Sequence, residues 1–161
     1  MATLTAVKSY ISTDKLAQKF YDFHSDGFKV ALLTSAVAPT QSMTTWTTSS
    51  ALGSSTVEAT SSGSTGYTAD GVALTCTTIG SNSGSGTTLK TSANFASPTW
   101  TAANAGFSFR YAVLWDTTIG SGTSGNYIAY WDTTAITLSG ANGDTYDLSG
   151  SAWNTSWGTV S

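Results

Sequence analysis

The chain has 161 residues, a formal net charge of −3 and only 9% charged residues, against 40% hydrophobic and 12% aromatic ones. That length suits one domain able to bury a core, and the aromatic content excludes disorder despite the many Ser, Thr and Gly residues. The six basic residues, Lys8, Lys15, Lys19, Lys29, Lys90 and Arg110, are spread too thinly for a phosphate-backbone partner, which excludes nucleic acid.

A soluble domain ordinarily carries roughly 25% charged residues. A surface so poor in charge must be covered by hydroxyls, amides and glycine, or by other chains. The weak colloidal repulsion that follows suits a protein living in an assembly. The single cysteine, Cys76, excludes an internal disulfide. The N-terminus lacks the charged start and long apolar run of a signal peptide, and no stretch approaches the ~18 apolar residues of a membrane span. Synthesis in a cytoplasm without export, and no membrane partner, are the expectations.

In chain order, residues 1–12 (MATLTAVKSYIS) read as an N-terminal arm able to add to the sheet edge of a neighbour. Residues 13–24 (TDKLAQKFYDFH) read as a short helix. Thr13 can cap it, Asp14 suits the positive end of its dipole, and Leu16, Ala17, Phe20 and Phe23 make one apolar stripe. That stripe packs on its own β-core or docks on a partner. The motif SDG (25–27) stops the helix.

The period then changes to two. FKVALLT (28–34) has so few polar positions that it predicts a strand buried on both faces. STVEAT (55–60) is a weak strand. In VALTCTT (72–78), Val72, Leu74 and Cys76 alternate with Ala73, Thr75 and Thr77, and TTLKTSA (87–93) continues the pattern beyond the flexible loop GSNSGSG (80–86). The clearest strand is FSFRYAVLWD (107–116), which places Phe107, Phe109, Tyr111, Val113 and Trp115 on one face. NYIAYWDTT (126–134) echoes its ending sixteen residues later, and the intervening GSGTSG predicts a hairpin. AITLS (135–139), the turn GANGD (140–144), TYDLS (145–149) and the tail SAWNTSWGTV (151–160) follow. These elements predict a mainly β fold: a single antiparallel β-sandwich or jelly-roll-like domain over 13–161, with one short N-terminal helix.

Catalytic chemistry has little to work with. His24 stands at the end of the predicted helix, where an imidazole packs or caps. Cys76, mid-strand, is a small hydrophobe. Asp116 and Asp132 end the two echoing strands and could come together as a carboxylate pair, but Asp before Thr-Thr is ordinary turn chemistry. NGDTYD (142–147) lacks the spaced ligands of a calcium loop, and GSNSGSG lacks the Lys-Ser or Lys-Thr of a phosphate loop. No catalytic, metal-binding or cofactor-binding residue, and no cofactor, is therefore assigned. The tryptophans are the remaining candidates. Trp115 and Trp131 read as core residues and Trp153 and Trp157 as closing it, whereas exposed tryptophans would stack on sugars or meet neighbouring subunits. The candidate contacts for a partner or a second copy are Leu16, Phe20, Phe23, Trp46, Trp153 and Trp157. In TGYTADGVAL (65–74), Gly66 and Gly71 bracket a tight turn, Asp70-Gly71 is a turn dipeptide, and Tyr67 lays its ring on the core edge with its hydroxyl bonded to nearby backbone.

Several segments together resemble a family of small tailed-phage structural proteins: FKVALLTS, TGYTADGVAL, PTWTAANAGFSFRYAVLWD, YIAYWDTT and the Trp-Gly tail. The resemblance runs from about residue 15 to the end. Its most specific parts are Gly-Tyr-x-x-x-Gly-x-x-Leu at 66–74 and the block from Trp100 through Arg110-Tyr-Ala-Val to Trp115-Asp. Two departures, 40–65 and 80–86, look like variable surface loops. The resemblance implies a non-enzymatic virion protein, a capsid decoration (cement) protein on the capsid exterior, assembled in the bacterial host cytoplasm. Its partners would be the major capsid protein and further copies of itself, as dimer or trimer. The alternatives are another head- or tail-associated role (head fibre base, collar or adaptor) and a carbohydrate-binding β-sandwich module.

Overall fold

The structure, a computed structural model, describes residues 7–8, 25–47, 57–60, 64–79, 89–118, 124–148 and 155–160. The helix expected at 13–24, with Leu16, Phe20, Phe23 and His24, lies outside the described residues, as do Trp153 and the loop at 80–86.

The described chain is mainly β, and every pairing between its strands is antiparallel. Its strands are β1 (Val7–Lys8), β2 (Phe28–Leu33), β3 (Thr45–Thr47), β4 (Val72–Leu74), β5 (Cys76–Ile79), β6 (Leu89–Phe95), β7 (Thr99–Thr101), β8 (Phe107–Asp116), β9 (Ser124–Leu138), β10 (Thr145–Asp147) and β11 (Thr155–Val160). Six of them form a curled sheet in the order β1-β9-β8-β2-β4, with β3 also paired to β9. β10 pairs with β7, and β11-β6-β5 form a third sheet. Within the stretch expected to be an arm, Val7 and Lys8 pair with Tyr130 and Ala129 of their own chain.

β2 lies inside the large sheet, and its apolar run is explained by burial on both sides, as its sequence predicts. Phe28, Val30 and Leu32 enter one cluster, while Ala31 and Leu33 enter the other. The first cluster joins all three sheets: Phe28 meets Phe95 of β6 edge-on at 5.4 Å, and Phe109 meets Tyr146 of β10 at 4.8 Å. The second cluster holds Trp46, Val57, Tyr111, Val113, Trp115 and Tyr127.

The hairpin of β8 and β9 forms as expected, but β8 does not keep one apolar face. Phe107 and Phe109 belong to the first cluster, and Tyr111, Val113 and Trp115 to the second. The cause lies on the partner strand. Phe109 pairs with Ile136 and Tyr111 with Asp132, so two residues of β8 span four of β9, and Thr134 takes a φ of 62°. A bulge of this kind twists the ribbon and re-aims its side chains. A second irregularity pairs Leu114 with Ala129 but Trp115 with Tyr127, leaving Ile128 as the extra residue. The echoed Tyr and Trp positions therefore diverge. Tyr111 and Trp115 share a face, whereas Tyr127 and Trp131 fall in opposite clusters.

Other boundaries shift for local reasons. The stretch expected as one strand at 72–78 is two, because Leu74 pairs with Phe28 of the large sheet while Cys76 pairs with Phe95 of the third. The chain changes sheets at Thr75. AITLS is not separate but continues β9 to Leu138. STVEAT contributes one bridge, Glu58 to Leu33. GANGD forms a 3₁₀ turn at Gly140–Asn142, closed by Gly143 at a φ of 61° and by Asp144, whose Oδ2 accepts the Ser139 N–H at 2.9 Å.

Candidate functional site

The turn TGYTADG sits between β2 and β7 and fixes both. Gly66 has a φ of 82°, and a Cβ there would lie 2.2 Å from the carbonyl oxygen of Thr101. Gly71 has a φ of 83°, and a Cβ there would lie 2.0 Å from the carbonyl oxygen of Val30. Both positions need glycine twice over, for conformation and for space. Asp70 precedes Gly71 at a φ of 64°, and the Gly71 N–H donates to the Thr68 carbonyl at 3.1 Å. The turn expected at Asp70-Gly71 is present.

Tyr67 is buried with its ring 5.6 Å from that of Phe107. Its hydroxyl accepts the Leu32 N–H at 3.0 Å, the backbone bond that the sequence led us to expect, and donates to Oε1 of Glu58 at 2.6 Å. The hydroxyl substitutes for a strand along the edge of β2. β4 covers Phe28 to Val30, Tyr67 takes the N–H of Leu32, and residues 57–59 take over beyond it through Ala59 N–H to Leu32 O and Thr34 N–H to Val57 O, both 2.8 Å.

Glu58, 6% exposed, is the residue that sequence reasoning missed. Burial pushes its carboxyl up to about 7, with the nearby Asp70 charge acting in the same direction, against the opposing Tyr67 bond, Asp70 backbone N–H and Lys29 charge. The Tyr67 phenol is raised well above its ordinary value by burial and then by Glu58. One signal was available: Glu58 is the only glutamate of the chain, and it stands between Val57 and Ala59.

The four tryptophans whose side chains are described form frame rather than surface. Trp46, a candidate contact residue, is completely buried and stacks on Trp115 with ring centroids 5.4 Å apart and planes 19° apart. Its side chain faces into the second cluster of the chain's own core. Trp100, Trp115 and Trp131 are also buried, and Trp115 and Trp131 fill the core as expected, on opposite faces of the large sheet. Trp157 lies in β11 opposite Thr91.

Asp116 and Asp132, the pair the sequence could have brought together, do not converge. Asp116 is fully buried at one end of β8, where its Oδ1 accepts the Thr118 N–H at 2.7 Å. Asp132 lies opposite Tyr111, five residues away along β8, or about 17 Å at strand rise. It holds the exposed Arg110 through two bonds of 3.0 and 3.2 Å, which keeps its carboxyl below the usual range. Among the described residues no three His, Cys, Asp or Glu side chains are grouped to hold a metal ion, and no helix is long and apolar enough to cross a membrane. Cys76 packs half-buried against the first cluster.

A shallow groove of about 100 Å³ lies beside the β8–β9 ribbon, with Phe109 and Ile136 among its apolar lining and Ser35, Ser108, Thr137 and Arg110 among its polar lining. Its cation is already engaged by Asp132, and Ser108 and Thr137 bond each other at 2.9 Å. The groove therefore offers few free polar groups to a ligand. Comparison with protein-family models, with curated proteins and with solved structures found no match.

Proposed function

We propose that this chain is a non-enzymatic structural protein of a tailed-phage virion, a capsid decoration protein that binds the outer shell and stabilises it. The observation that carries the reading is where the family-like segments fall. FKVALLTS supplies doubly buried β2, TGYTADGVAL supplies the turn that pins β2 to β7, and the block from Trp100 to Asp116 supplies β7 and β8. What resembles the phage family is thus the frame itself and not a cluster of reactive groups. The three antiparallel sheets, joined through the first cluster, are in this reading the two layers of a sandwich or jelly roll.

Such a block works by interface area. It spans neighbouring capsid subunits, and self-association at a symmetry axis multiplies weak contacts. The sparse charge of the chain fits a surface meant to be covered. A sugar-binding role would need exposed tryptophans, and the four whose side chains are described are buried. The test is co-sedimentation of purified protein with particles stripped of it. Saturable binding that raises the temperature at which the shells release DNA is expected. Sedimentation independent of the shells, with tight binding to a glycan array, would replace this reading with a carbohydrate module.

A further inference from the structure

We propose that Glu58 and Tyr67 form a proton-controlled latch that holds residues 57–60 and the 64–71 turn on the edge of β2, tight when the Glu58 carboxyl is protonated and looser when it is ionised. The geometry supplies the latch. Leu32 directs its N–H to the Tyr67 hydroxyl and its carbonyl to the Ala59 N–H, and the same hydroxyl donates to Glu58 Oε1. One short network therefore closes both segments onto one residue of β2. A neutral carboxyl still accepts the Tyr67 hydroxyl through its carbonyl oxygen, so protonation leaves the network intact. Ionisation places a charge in a site that is 6% exposed, where the loss of hydration outweighs the Tyr67 hydroxyl bond, the Asp70 N–H bond and the Lys29 charge that favour the carboxylate.

Among the described residues the charged and titratable groups facing Glu58 are Tyr67 and Asp70 from the turn and Lys29 from β2. Asp70 adds a like charge, and its Oδ1 is buried without a hydrogen-bond partner. Among the described residues Lys29 is the one opposing charge, and its ammonium sits over the Trp115 ring at 5.6 Å from the centroid.

The folded state holds the Glu58 proton up to about pH 7, whereas the unfolded chain releases it near 4.5. Between these values the folded state binds more protons, so stability is complete at the acid end and declines as pH rises towards 7. The experiment uses the full chain. The Glu58 carboxyl carbon is followed by NMR from pH 4 to 9, beside hydrogen exchange at the Leu32 amide. A midpoint well above that of an ordinary glutamate is expected, with a fall of roughly tenfold or more in Leu32 protection across pH 5 to 8, corrected for intrinsic base catalysis. Glu58→Gln, which keeps the shape and cannot ionise, should hold Leu32 protection level through that window. A wild-type midpoint near 4.5 would overturn the proposal even if the variant failed to fold, and so would a Glu58→Gln profile parallel to wild type.

Discussion

At Gly71 the backbone of one turn and the carbonyl of Val30 compete for the space a methyl group would occupy, and only hydrogen resolves the conflict. Gly71→Ala should therefore cost about 3 kcal/mol or more, read as a large fall in the urea midpoint. Tyr67→Phe tests a different force. It keeps the ring on Phe107 but strips partners from a buried N–H and a buried carboxyl, for a loss of about 1–3 kcal/mol. Arg110→Ala should leave the thermal midpoint unmoved, because its pair with Asp132 is open to solvent on both sides. The glycines and Asp70 could be read from sequence because their demands are local, a positive φ and a turn dipeptide; for Tyr67 the sequence offered an aromatic ahead of a strand start but not its partner Leu32, 35 residues away. The role of Glu58 could not be read this way. Its hydrogen-bond partner lies nine residues away in sequence, and nothing in STVEAT says which strand edge that segment will meet.

Among the elements, β2, β8 and β9 were legible because period-two patterning and a continuous apolar run are properties of the strand alone. The inward face of β8 was not legible. It is set by the extra residues that β9 inserts opposite Arg110, a feature of the pairing that the sequence of β8 does not contain. The three-residue strands β3 and β7, both Thr-Trp-Thr, are too short for a period to appear, and only their tryptophans mark them. Because β2 is covered on both faces and paired on both edges, its amides and those of its partner residues 111–115 in β8 should be the slowest to exchange. Hydrogen-exchange mass spectrometry checks this, and faster exchange there than in β10 would contradict the packing. Trp46→Ala opens a cavity against Trp115 and should cost about 3–5 kcal/mol. A variant as stable as wild type would mean that the stacked pair is not part of the core.

For the molecule as a whole, the sparse charge and the doubly buried central strand fit the proposed role of a block covered by other chains. The central claim is that this block coats the shell, and the most direct measurement is its place and copy number in the intact particle, by cryo-electron microscopy with quantitative mass spectrometry. The account predicts copies in the hundreds, arranged on the capsid exterior at the lattice symmetry axes. A handful of copies at a single vertex, or none in the particle, would contradict it.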